Sequence, residues 1–203
     1  AAMEKALRLY NGKALVNSVN GKAEVMDSIF PLVQKYGGTV IALTLDEDGI
    51  PETSEKRVEI AEKIIARAKD YGMAMTVSSD PAGALVTLQT VESLAKKGIR
   101  TSLGVSNVSF GLPNRGSLNA AFFTMAMQKG LSAGIVNVQS ADMMRAYYAY
   151  LALGGFDRNF EKYIANIPKY AMAPAAADGV GTAGQNDPVS EKPLQRAIIK
   201  GLK

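Results

Sequence analysis

The side chains that could do chemistry in this 203-residue chain are amides, carboxylates and a few cations, because it has no His and no Cys. Their absence removes thiolate nucleophiles, imidazole bases, disulfides and nearly every zinc site. Proton transfer must rest on Asp, Glu, Lys, Tyr or the substrate itself. The polar candidates stand where apolar runs end. Asn17 and Asn20 close "ALVNSVN", and Asp46, Glu47 and Asp48 follow "TVIALTL". Asn107 closes "TSLGVSN" and precedes Ser109, Asn114 and Arg115, while Asn137 lies in "AGIVNVQ". An amide offers an acceptor and two donors without titrating. An Arg presents a rigid fork of donors that suits anions.

Each candidate also has a structural explanation. Asn107 can be a turn-former at a strand end. Asn17, inside an apolar run, can be a buried amide satisfied by its neighbours. Residues 46–48 can be a solvated acidic loop, too poor in oxygens for a calcium loop. Arg115 can be a surface cation. Met125, Met127, Met143 and Met144 read as core filler. "GVGTAG" at 179–184 resembles a dinucleotide loop, but no strand leads into it. No Walker loop or nucleophilic triad is present.

Short apolar runs alternate with longer amphipathic segments, and that alternation positions the candidates. Strands are expected at 14–19, 39–45, 101–107 and 133–139. Helices are expected over "EVMDSIFPLVQKYGG", "SEKRVEIAEKIIARAKDYG", "AGALVTLQTVESLAKKG", "SLNAAFFTMAMQKG" and 141–153. The first should bury Val25, Ile29, Leu32 and Val33. The second should be capped by Thr53 or Ser54 and bury Val58, Ala61, Ile64, Ile65 and Ala68. "AMTVSSDP" reads as irregular. Such alternation implies βαβ units, a parallel sheet and an α/β fold. Every strand-to-helix loop then lies on one sheet edge, where ligands bind in such folds. Four clear strands are too few for an eight-stranded barrel.

The length and 47% hydrophobic content suit one domain, at most with an appendage. The net charge of +4 mildly favours an anionic ligand. No basic stretch is interleaved with aromatics, so no nucleic-acid partner is expected. No apolar run approaches the ~20 residues that span a bilayer. "AAMEKALRLYNGK" reads as an amphipathic helix rather than a signal peptide, and a cytoplasmic location is expected. Residues 1–168 are expected to form the folded domain. Residues 169–192, rich in Ala, Gly and Pro, read as a linker, and 193–203 as the start of another helix.

"NGKALVNSVNG", "GGTVIALTLDEDGIPETSEKRVEIAEKIIARAKDYGM", "AMTVSSDP" and "GVSNVSFGLPNRGSLNAAFFTMAMQKGLSAGIVNV" together resemble the pterin-binding domain of methyltetrahydrofolate:corrinoid methyltransferases. That family includes the methyltransferase serving the corrinoid iron–sulfur protein and the folate module of cobalamin-dependent methionine synthase. The resemblance runs in order from about residue 5 to 153. It implies a (βα)8 TIM-type barrel, with methyltetrahydrofolate as methyl donor and a cobalamin carried by a partner protein or domain. No directly bound metal is implied. Asn107 matches the family's Asn in "G-x-S-N", which acts on N5. Asn17 matches an Asn that holds the pterin ring, and Arg115 an Arg placed to meet the anionic side of the folate. Asp46 and Asn137 are carried as further substrate contacts. The terminal "PLQRAIIKGLK" resembles the first helix of a cobalamin-domain cap. Dimerisation is common among such relatives, so a homodimer is an expectation by analogy.

Two features of the family have no counterpart. One is an aspartate-bearing strand upstream of residue 1. The other is a second aspartate, in a strand like "Y-I-D-P-L", where "DYGM" here runs directly into "AMTVSSD". An interior strand missing at Met73–Ala74 should leave its neighbours with unpaired ladder groups. The barrel is therefore expected to be incomplete, and the chain to be part of a longer polypeptide. Two rival readings stay open: a pterin barrel of dihydropteroate synthase type, and a non-catalytic fragment that only meets partners.

Overall fold

A computed structural model describes residues 2–73, 75–78 and 83–171. Of the linker expected over 169–192, residues 169–171 are described, and Ile167–Tyr170 form a 3-10 turn; the rest of it, the terminal helix and "GVGTAG" lie outside the described residues. Helix α1 (Ala2–Leu9) precedes strand β1 (Leu15–Asn20), and the chain then alternates. It runs α2 (Ala23–Lys35), β2 (Thr39–Leu43), α3 (Ser54–Lys69), β3 (Met75–Ser78), α4 (Ala84–Lys96) and β4 (Thr101–Gly104). A 3-10 turn over Val105–Ser109 leads to α5 (Arg115–Gln128), β5 (Ala133–Ile135), α6 (Ala141–Leu153) and α7 (Glu161–Asn166).

All four strand pairings are parallel, in the order β1-β2-β3-β4-β5. A sequential order with no reversal is the arc of a barrel rather than a doubly wound sheet. The expected α/β fold is observed, with five strands of the arc among the described residues. One face of the sheet packs under helices. Val16, Val40, Ala42 and Val77 meet Met26, Phe30, Val33, Ile60, Ala61 and Ile64 in one core. Leu103 and Val105 meet Phe122, Phe123, Ala126 and Met127 in a second. Strand alternation places Leu15, Asn17, Ile41, Thr76, Ser78 and Ser102 on the opposite face.

Ion pairs join the first helix neighbours in turn: Glu4–Lys35 (3.0 Å), Asp27–Arg67 (2.9 Å), Glu62–Lys97, and Glu92–Lys129 (2.7 Å). Between α5 and α6 aromatic packing takes over. Phe123 stacks on Tyr147 with ring centroids 6.4 Å apart, and the Tyr150 hydroxyl donates to the Met127 carbonyl.

Several expectations change. "AMTVSSDP" contains a strand, β3, whose alternation of Met75 and Val77 with Thr76 and Ser78 fits one apolar and one polar face. It pairs with β2 from Val40↔Met75 to Leu43↔Ser78, so the ladder has no interior gap at Met73–Ala74. Strand β4 stops at Gly104 because its partner β5 reaches only Ile135. Asn107 therefore sits in the 3-10 turn, not on a strand. Asn137 likewise lies beyond β5. Helix α2 buries Met26, Phe30 and Val33, with Val25, Ile29 and Leu32 at the margin. In α3, Ile60 joins the buried Ala61, Ile64 and Ala68, while Val58 and Ile65 are partly covered. Thr53 caps α3 as expected, accepting from the Lys56 N–H. Met127 and Met143 are core, but Met125 is exposed. Among the described residues no helix is long and apolar enough to cross a membrane.

Candidate functional site

The parallel topology sends the β1, β2, β4 and β5 exits to one edge, where Asp46, Asn107, Arg115 and Asn137 follow the strands, while Asn17 lies within β1 opposite Ile41. They differ in what their side chains already hold. Asn20 Oδ1 accepts from the Lys22 N–H (3.1 Å), and Asn137 Oδ1 from the Gln139 N–H (2.9 Å). Both are Asx turns that start the next segment. Asp46 is buried, not solvated. Its Oδ1 accepts from the Asp48 N–H (3.1 Å), and its backbone exchanges two bonds with Gly49. Glu47 is exposed, and a hydrogen bond from its own backbone N–H, helped by Lys63, holds its carboxyl below the usual value.

Asn17 and Asn107 are different. Both are exposed, and among the described residues neither side-chain amide makes a hydrogen bond. Among the described residues Asn17 is therefore exposed rather than buried, and it points away from the Val16–Val19 core side of β1. Asn107 lies over Gly104, where a methyl group would stand 3.4 Å from the amide nitrogen. Gly104 thus leaves the space beneath the amide open.

The turn carrying Asn107 is fixed from both ends. The Phe110 N–H donates to the Asn107 carbonyl (3.1 Å) and the Leu112 N–H to the Ser109 carbonyl (3.0 Å). The Ser109 hydroxyl donates to the Ser106 carbonyl (3.2 Å). Arg115, the first residue of α5, reaches back across this turn. Its Nε donates to Ser109 Oγ (2.9 Å) and its Nη2 to the Ser106 carbonyl (2.9 Å). Its guanidinium lies 6.0 Å from the Phe110 ring centre. Two of its donor directions are occupied while the residue stays exposed, so an anion can still reach the head group.

A cavity of about 280 Å³ opens beside the β2 exit, lined by Asp46, Ile50, Pro51, Glu52, Thr53 and Lys56 among others. Among the described residues no group of three or more Asp and Glu is placed to hold a metal ion. The residues that sequence reasoning missed are supports. Ser106 contributes only a carbonyl, which no side-chain pattern reveals. Gly116 lies against the Asp142 carboxylate of α6, and Asp142 pairs with Arg145. The "NRG" triplet was the available signal for that close approach.

Residues 1–137 match the family described as pterin binding enzyme. The methylcorrinoid:tetrahydrofolate methyltransferase of Eubacterium limosum is 33% identical over 177 residues, covering 80% of this chain and 65% of that protein. The methionine synthase of Mycobacterium tuberculosis is 29% identical over 161 residues, covering 68% of this chain and 14% of that protein. That of Mycobacterium leprae is 30% identical over 159 residues, covering 66% and 13% respectively. The chain thus spans less than two thirds of the length of these curated relatives.

Proposed function

The chain belongs to the pterin-binding enzyme family, and from that premise we propose that it moves the N5 methyl group of methyltetrahydrofolate to the cob(I)alamin of a corrinoid protein or domain. The Eubacterium limosum relative is a methylcorrinoid:tetrahydrofolate methyltransferase, which pairs the same two carriers of the methyl group. One site can serve either direction, since both pass through the same transition state. The observation that carries the reading is the Asn107 amide, unpaired among the described residues and held over Gly104 on a hydrogen-bonded turn beside Arg115.

N5 of the donor is a tertiary amine and a poor leaving group. The N5–methyl bond breaks with its electron pair staying on nitrogen, and the partner's corrinoid supplies a cobalt nucleophile for the methyl group. Charge therefore develops at N5, and a group that answers it lowers the barrier. Asn107 can offer its carbonyl oxygen to a protonated N5 or its NH2 to a neutral one. It needs no titration of its own, which suits a chain without His. In this reading Asn17 holds the pterin edge and Arg115 meets the anionic side of the folate. Asp46 and Asn137 shape the mouth through their turns. A cytoplasmic homodimer fits the absence of Cys and the family analogy, and belongs to the same proposal.

The test combines two measurements on the full chain. Methyltetrahydrofolate is titrated by calorimetry, and methyl transfer to free cob(I)alamin is followed by absorbance. Heat together with transfer is the expected result. Heat without transfer would favour a condensing pterin enzyme of dihydropteroate synthase type. No heat would leave a fragment that only meets partners, and would sink the methyl-transfer reading.

A further inference from the structure

From this methyl-transfer reading we infer that the apolar crest formed by Phe110 and Leu112, flanked by Leu118, is the platform on which the corrin macrocycle of the methyl acceptor rests. The crest is part of the β4–α5 connection and stands at the same sheet edge as Asn107. Phe110 is 85% exposed, Leu112 50% and Leu118 42%. Isolated exposed apolar residues are ordinary, but three large ones around one loop beside an unpaired polar group mark a binding surface.

The crest is built to stay exposed. Backbone bonds from Phe110 to Asn107 and from Leu112 to Ser109 close two successive turns, and Gly111 supplies the positive φ of 77° between them. Arg115 ties the same turn to α5 through Ser109 and Ser106. A surface ordered in advance loses little entropy on binding. Residues 104–118 contain no carboxylate and a single cation, Arg115. The surface therefore suits a flat, largely apolar ring bearing amide arms and a phosphate tail. Reaction geometry selects this occupant over a second copy of the chain. A methyl group passed directly from N5 requires the cobalt to approach over Asn107, and the Phe110 N–H bonds to the Asn107 carbonyl within the same connection.

The probe is free cob(I)alamin, varied at saturating methyltetrahydrofolate, with the full chain and its Leu112→Ser and Leu112→Asp variants. Losing the burial of one such side chain should raise the KM for cob(I)alamin roughly tenfold. The kcat and the calorimetric Kd for methyltetrahydrofolate should stay unchanged. Leu153→Asp, at an exposed leucine on the end of α6, should leave all three values alone. Melting curves matching the parent would exclude misfolding of the loop variants. An unchanged KM in both Leu112 variants would overturn the crest while leaving methyl transfer standing. A changed sedimentation mass with unchanged KM would reassign the crest to contact between copies, and also overturn it. No transfer by the parent chain would remove the underlying reading as well, an outcome distinguishable from the other two.

Discussion

In the β2–α3 loop Asp46 is turned into the protein, with one carboxylate oxygen accepting from Asp48 and its backbone locked to Gly49. In the β4–α5 loop Asn107 is turned outward, and its amide bonds to nothing among the described residues. Both loops leave the same edge of one parallel sheet, and both carry a polar residue just after a strand. In the first loop the polar group makes the loop. In the second, other groups make it: Arg115, Ser109 and Ser106 supply the bonds and leave the amide available. A polar side chain at a barrel mouth is thus diagnostic only when something else does its structural work. By that criterion Asn20 and Asn137 side with Asp46, and Asn17 sides with Asn107.

The comparison breaks most visibly at Asn107. Asn107→Ala should lower the methyl-transfer rate by about 10²–10³-fold, the usual effect of deleting one donor aimed at developing charge. The Kd for methyltetrahydrofolate should move far less, because the loop does not depend on this side chain. Stopped-flow transfer and calorimetry check the two numbers, and equal losses in both would make Asn107 a binding residue only.

Asp46→Ala tests the opposite pole. It removes the acceptor of the part-buried Asp48 N–H bond and should lower stability by about 1 kcal/mol in urea unfolding. The chemical step measured at saturating substrate should be almost unaffected. Arg115→Met should fall between the two. It deletes the Ser109 and Ser106 bonds along with the anion contact, so folate affinity should drop by roughly tenfold, as for loss of one charge-assisted bond. Adding a glutamate-free pterin to both forms separates the causes. If the analogue binds both equally, Arg115 acts on the anionic tail; if not, it acts through the turn.

The sequence exposed more of the frame than of the site. Helices α2 to α6 were legible because a 3.6-residue stripe survives local irregularity, and Thr53 marked the start of α3. Strand β3 escaped because "MTVS" carries its polar residues on the face away from the helices, which breaks an apolar run without breaking a strand. The ends of β4 and β5 were not legible in principle: a strand stops where its partner stops, and β5 pairs over only three residues. Of the two readings left open for Asn17, the buried amide is the one its exposure argues against: an apolar run suggests burial on both faces, but among the described residues nothing covers Asn17 on the face away from Val16 and Val19. Asn107 was singled out by the long ordered resemblance, and the structure adds that among the described residues its amide is unpaired.

The smallest effect concerns the helical side, far from both loops. Hydrogen bonds from Lys129 and then Lys96 hold the Glu92 carboxyl below its ordinary value, and a bond from Lys35 does the same for Glu4. The folded state therefore favours the ionised form of both. The stabilisation is complete above the ordinary carboxylate pKa of the unfolded chain, and it disappears as pH falls through the lower folded values. Both groups are surface-exposed and screened by solvent, so the change should be slight. Urea midpoints measured downward through the acid range should fall a little less steeply for Glu92→Gln than for the parent. Methyl transfer by Glu92→Gln should match the parent at neutral pH, because the α4–α5 ion pair supports the helix ring and touches neither loop. A slower transfer in that variant would mean that the ring and the mouth are mechanically coupled, and that the two loops cannot be treated as independent.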